Sequence, residues 1–302
     1  MFIGSPFVLC VYLAAVPVFV MPLLMAGLGA GRGAAIVAAA VGAGLTFGFS
    51  APVYGVFYVL MEAIPALALS VIALRPVKPG AMNFESNVVA FLIAWPLFLF
   101  FIICTVMPGH LVELRATIVD AFVKVNREML QALAQSGKQV TPEMIDNLHG
   151  AFQFFATFFP AMVMAAWLIS SLMALVVAQF IVQQQKWNLR PTFSIVKLRV
   201  SNWTIYTSAV GAAAVFAPAP YDYPALNAIV ILCVPFLLVG LAVVHAYVAT
   251  MRYRIFILAF FYLIFFASTW IAMLMVLLGV VDQRVDFRKR FAERNLTKGD
   301  KL

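Results

Sequence analysis

Apolar residues along this chain gather into long runs, separated by short polar or glycine-bearing gaps. A helix crossing a bilayer needs about 18–20 consecutive apolar residues, since the hydrocarbon core is about 30 Å thick. By that measure the pattern predicts spans at about 7–28, 32–50, 52–74, 87–108, 154–184, 203–218, 224–250 and 255–281. The run at 203–218 is the weakest, being short and rich in Ala and Thr. Prolines fall inside several runs, at Pro17, Pro22, Pro65, Pro96, Pro160 and Pro235. Each lacks a backbone donor and crowds the preceding turn, so kinked helices are expected. Neighbouring groups must then satisfy the freed carbonyls, and kinks often sit beside cavities.

One segment, 109–153, breaks the pattern. Leu111, Leu114, Ile118, Phe122, Val125, Met129 and Leu133 recur at spacings of three and four, which predicts an amphipathic helix. Gly137 follows it. Thr141 before Pro142 reads as an N-cap with proline at N1, opening a second short helix.

Charge orients these pieces. The insert sets Arg115, Lys124, Arg127 and Lys138 against Glu113, Asp120, Glu128, Glu143 and Asp146, a net of one negative charge that suits an outer face. The 185–202 connection carries Lys186, Arg190, Lys197 and Arg199 and no acid, which predicts a cytoplasmic segment anchored by Trp187 and Trp203. Strict alternation through eight spans places Arg32, Arg75, Lys78, Arg252 and Arg254 inside but the tail, 282–302, outside. That tail holds seven bases and four acids. Charge returns it to the cytoplasm if 203–218 only dips into the membrane or 255–281 folds back.

Composition agrees: 65% hydrophobic, 11% charged and mean hydropathy +1.02 leave too little polar surface for a water-soluble domain. The net charge of +8 marks cytoplasmic loops rather than a nucleic-acid site. Residues 1–6 lack a basic region, and no small-residue cleavage site follows, so no cleavable signal peptide is expected. Cys10, Cys104 and Cys233 lie far apart in apolar runs and form no disulfide framework.

The stretch "MAGLGAGRGAA", 25–35, invites a phosphate-binding reading. A dinucleotide fingerprint needs a strand before the glycines and an acid about 20 residues on. Here a helix-length run precedes them, and no acid follows until Glu62. The stretch reads instead as a tight turn in which Gly31 and Gly33 permit the bend and a close approach of helices, with Arg32 at a cytoplasmic tip.

Ionisable groups inside spans are candidate functional residues. Glu62 lies near the middle of 52–74, and Tyr58 and Tyr54 precede it by one and two turns on the same helical face. His245 sits near a cytoplasmic end, and Asn227 lies inside a span. Gln179, Ser170 and Ser171 read as interhelical hydrogen-bonding groups. No GxSxG, HExxH or Walker A motif occurs, and His110, His149 and His245 are scattered, so neither enzyme, cofactor nor metal site is expected. In the tail, Asp286 is placed to pair with Arg290. Arg284, Arg288, Lys289, Arg290 and Arg294 with Val285, Phe287 and Phe291 form a basic, partly apolar helix suited to anionic lipid.

"AAVPVFVMPLLMAGLGAGRGAA", "AIPALALSVIALRP", "GLAVVHA" and above all "LGVVDQRVDFRKR" resemble the YybS-like family of bacterial membrane proteins, a domain of unknown function. The most specific piece is Gly279, Asp282, Asp286, Phe287 and Arg288. The resemblance implies one more apolar N-terminal helix in typical members than in this chain. It also implies a distant similarity to the substrate-binding subunits of energy-coupling-factor transporters, and hence a membrane or ATPase partner.

The expectation is an all-α, single-domain bundle of about seven to eight spans in a bacterial inner membrane. Its expected role is that of a transporter-like or small-ligand-binding component; the alternative is an assembly or interaction protein. A polar cavity near Glu62 would favour the first. A dry interior with an exposed apolar groove would favour the second.

Overall fold

The computed structural model describes residues 6–76, 82–106, 110–136, 141–190, 192–249 and 251–291. Gly137, Lys78, Lys138 and Arg294 lie outside them, as does the tail from 292 onward. Every regular element among the described residues is helical: α1 (Pro6–Ala30), α2 (Arg32–Phe49), α3 (Pro52–Tyr58), a π turn (Val59–Ala63), α4 (Ile64–Ala73), α5 (Phe84–Val106), α6 (His110–Gln135), α7 (Pro142–Gln184), a short 3-10 turn (Ile195–Lys197), α8 (Asn202–Ala214), α9 (Asp222–Val248), α10 (Arg254–Ala267) and α11 (Thr269–Val285).

The spine is α7, 43 residues or about 64 Å long at 1.5 Å per residue. Thr141 caps it, accepting the Met144 N–H at 3.3 Å, and Pro142 occupies the first turn. The expected second short helix of the insert is therefore no separate element. Nothing breaks the chain between 142 and 154, and Gly150 sits in open space. The spine's first half packs against α6, with Phe122 lodged between Phe152 and Phe159. It also packs against α1 and α9. The insert and the 185–201 loop therefore occupy opposite ends of the bundle.

Among the described residues, by length and apolar content, five helices qualify as spans, or six if the bent α10–α11 pair counts as one. With α1 counted only from Val18, this neither confirms nor contradicts the expected seven to eight, but two of the predicted runs are not straight spans. First, α8 has 13 residues, about 20 Å, short of a hydrocarbon core of about 30 Å. Second, α10 and α11 meet at 112° across Ser268. The ring of Phe291, just past α11, lies 5.4 Å from that of Tyr247, in the last turn of α9 before α10. The bent pair thus enters and leaves at one end, and the basic tail begins on the same side as the 185–201 loop. That is the folded-back arrangement that charge favoured.

Helices α9 and α11 make the most extensive contact in the fold. Its cause is a pair of glycines. A Cβ on Gly279 would overlap the Phe236 carbonyl oxygen, and one on Gly240 would overlap that of Met275. Backbone meets backbone, a contact that small residues alone allow. At the α1–α2 turn, Gly31 does adopt φ +91. Gly33, however, has open space where a Cβ would stand, with no heavy atom within 4 Å, so it mediates no close approach. That task falls to Gly27 against Ser70 and Gly29 against Val182.

Gly279→Ala is expected to lower stability by about 2 kcal/mol or more, because the obstacle is main chain and the helices must part. Gly33→Ala is expected to leave stability unchanged or slightly raised. Thermal unfolding of the detergent-solubilised variants checks both.

Candidate functional site

The bundle centre is organised around two interrupted helices. In the α3–α4 span, Pro65 has no N–H for the Met61 carbonyl, and the π turn sends the Ile64 N–H to Val59 instead of Leu60. Two carbonyls are orphaned, and two tryptophans take them. The indole Nε1–H of Trp95 donates to Leu60 O at 2.9 Å, and that of Trp167 to Met61 O at 3.1 Å.

The spine carries the second interruption. Pro160 leaves Ala156 O without its helical donor, and the Tyr223 hydroxyl supplies one at 3.1 Å. One rung further, the Asn227 carboxamide enters the ladder. Its Oδ1 accepts the Ala161 N–H at 3.0 Å, and its Nδ2 donates to Thr157 O at 3.1 Å. It also donates to Tyr223 O at 3.0 Å. Asn227 is thus fully engaged in splicing a kink, not poised for a ligand.

Between these interruptions lies a groove of about 260 Å³. Met61, Trp95, Pro96, Ile118, Pro160 and Trp167 are among its walls, from α3 through α7, and every wall residue is apolar or aromatic. With both indole N–H groups committed to carbonyls, the groove offers hydrocarbon and π surface only. The kinks do sit beside a cavity, as the prolines suggested.

The expected Glu62–Tyr58–Tyr54 face divides. Glu62 is buried, 3% exposed, within the π turn. Tyr58 is half-buried, its hydroxyl packed against Gly42 where a Cβ would overlap it. Tyr54 is 43% exposed and does not join them. Glu62 is not among the groove's wall residues. His245 is far along α9, where its Nε2 meets the Tyr262 hydroxyl at 2.8 Å and ties α9 to α10. The sequence-derived candidates therefore form no single site, and Trp95, Trp167 and Tyr223 are not among them. The available signal was tryptophan at mid-span rather than at the interface, where it is usually enriched.

The C-terminal motif forms a latch at the loop end. Asp282, 2% exposed, accepts the Phe287 N–H at 2.9 Å and pairs with Arg288 at 2.9 Å. Arg288 also donates to Val196 O and Leu198 O at 2.7 and 2.6 Å. It is consumed internally and is not a surface base for lipid. Asp286 pairs with Arg199 at 2.6 Å rather than with the Arg290 side chain, because its left-handed backbone (φ 50) ends α11 and turns the carboxylate toward the loop. Gly279 belongs to the α9 crossing.

Partial burial pushes the Asp286 carboxyl up, but the Arg199 hydrogen bond and charge, the Lys289 N–H and nearby Arg288 outweigh it and hold the pKa below its usual value. A depressed carboxylate stabilises the fold above about pH 4 and loses that contribution as pH falls through its lowered value. Asp286→Asn is expected to flatten the acid limb of thermal stability measured below about pH 4. A second expectation concerns the spine. Tyr223→Phe should cost about 1–3 kcal/mol by stranding Ala156 O, and much less in a Pro160→Ala background that restores the helical donor. A double-mutant cycle reads the difference.

Comparison with curated proteins and with solved structures finds no match. A family model described as "Predicted membrane protein (DUF2232)" matches residues 1–283. With its apolar helices, its internally satisfied helix breaks and a match along almost its whole length, this chain belongs to the DUF2232 family of predicted membrane proteins.

Proposed function

We propose that this protein holds an apolar, lipid-class molecule in the groove between the π turn and Pro160, as a non-catalytic ligand-binding component of a bacterial inner membrane. The observation that carries this reading is the groove's lining: apolar on every wall, its two indole donors already spent. Such a surface rejects a polar solute, whose hydrogen bonds with water it cannot replace. At about 260 Å³ it falls just below the range of small-ligand pockets, about 300–1,000 Å³, which suits part of a chain-like molecule. Glu62 is not among its walls, so the polar cavity that would favour a small polar ligand is not this groove; its apolar lining fits a lipid-class ligand and is also the feature that favours an assembly or interaction protein.

The likeness to the YybS-like family and, at a distance, to energy-coupling-factor substrate-binding subunits supports a membrane subunit that captures a ligand and works with a membrane or ATPase partner. Lys289 and Arg290, exposed beyond α11, support contact with anionic lipid. The alternative, an assembly protein, draws on the same groove, which a partner's apolar side chains would fill.

Mild-detergent extraction followed by native mass spectrometry separates the two. The expected result is a co-purifying lipid-class molecule on the wild type and its loss from Val163→Trp, which fills the groove. A groove that carries only a partner protein would support the alternative, and equal lipid retention by both forms would overturn the groove as the site.

A further inference from the structure

At the loop end, away from the groove, four chain segments converge on the α1–α2 turn. Helix α2 starts at Arg32 with no side-chain cap, and the first bond back to the turn is Ala35 N–H to Gly31 O at 3.2 Å. The Gly33 and Ala34 N–H groups precede that bond and have no intrahelical acceptor. They stand at the positive end of an 18-residue helix, and Gly33 opens onto free space. Arg32 donates to Leu74 O at 3.3 Å, which seats it beside the exposed Arg75 at the end of α4.

The 185–190 segment closes the other side. Leu189 N–H donates to Leu28 O at 3.2 Å, and its side chain stands 4.0 Å from the Cβ position of Gly31. Trp187 lies 3.7 Å from that of Gly29. Lys186 between them and α7 is exposed, in a left-handed conformation (φ 59). Arg190 donates to Ala73 O at 2.6 Å.

Beneath the turn, Gln179 is 5% exposed. Its Oε1 accepts the Phe193 N–H at 2.6 Å, while its Nε2–H₂ has no partner among the described residues. It lines a cavity of about 10 Å³ together with Asn188 and Arg190, space for one small polar atom. The nearby carboxylate, Glu85, is buried and accepts the Ser194 N–H at 3.3 Å. The helix ends of α1, α4 and α7 bring carbonyl oxygens here, but Arg32 and Arg190 each cover one and keep further N–H donors.

Open backbone N–H groups at a helix start, several cations and a buried vacant donor are what a phosphate requires. Trp187 is 63% exposed and Leu189 57%, and both stand directly beside the bases. Such side chains seek the membrane interface, which a phosphate in free solution does not offer. We propose that the α1–α2 turn, with Arg75, Lys186 and the Gln179 cavity, binds the phosphate of an anionic phospholipid. This site is independent of the groove and of the basic tail.

The test titrates the full-length protein in neutral detergent with dioctanoyl phosphatidylglycerol, dioctanoyl phosphatidylcholine and inorganic phosphate, using native mass spectrometry or calorimetry. Phosphatidylglycerol should bind at least about tenfold more tightly than the other two. Arg75→Gln with Lys186→Gly should remove at least about tenfold of that affinity. Glycine suits the left-handed backbone at 186, so the thermal midpoint should not fall. Arg75→Gln alone, at an exposed position, gives a second variant with a smaller loss, and Lys124→Gln, exposed on α6 at the other end of the bundle, should bind as the wild type does. Unchanged affinity in the double variant, or an equal loss in Lys124→Gln, would overturn the site. Phosphate binding as tight as phosphatidylglycerol would overturn the lipid as its source.

Discussion

In hydrocarbon, a backbone carbonyl without a donor costs several kcal/mol, and no water is at hand to relieve it. Among its helix-internal prolines, this bundle introduces that cost at Pro65 and again at Pro160, and at these two its interior is arranged to cancel it. Trp95 and Trp167 serve the first break, and Tyr223 and Asn227 serve the second. The donors come from α5, α7 and α9, so each break fastens its own helix to neighbours. Trp167 stands on the spine, which is itself broken at Pro160. The two repairs therefore share one helix and fix its position from both sides.

The groove follows from the same arrangement. A kink displaces the turn before it, and side chains on either side of the gap do not close it completely. Proline at 96 and at 160 faces the same space, and the tryptophans that satisfy the π turn form part of its walls. Because the polar ends of those rings are turned into hydrogen bonds with backbone, what remains for a ligand is apolar. The ligand class is thus tied to how the backbone is satisfied.

The loop end is held by charge where the centre is held by neutral hydrogen bonds. Arg288 is buried, paired with Asp282 and bonded to two loop carbonyls. Removing one partner of such a pair leaves a buried charge uncompensated, a strongly destabilising change. The connection 185–201 is thereby pinned to α11, while Gln179, Ser86 and Glu85 pin it to α7 and α5. The crossing of Gly240 and Gly279 brings α11 close enough to α9 for this latch to form on the same face.

The sequence by itself determined the class of molecule, the amphipathic insert, the N-cap at Thr141 and the separation of insert and basic loop, because these depend on local periodicity and on counting charge. The glycine turn was legible at Gly31, where only the backbone angle matters. It was misplaced at Gly33, because close approach depends on which helix lies opposite. Tyr54 was grouped with Glu62 by an ideal helical period, but the two differ in burial once α2 covers one side. Arg288 looked like a surface base until a loop 90 residues earlier in the chain supplied its acceptors. The number of spans followed apolar length in the sequence, whereas the 112° bend at Ser268 depends on how α11 packs against α9. Asn227 and Tyr223 have no sequence mark connecting them to Pro160. Only the tertiary structure decided that pairing, because a hydrogen bond between distant segments requires the fold that brings donor to acceptor.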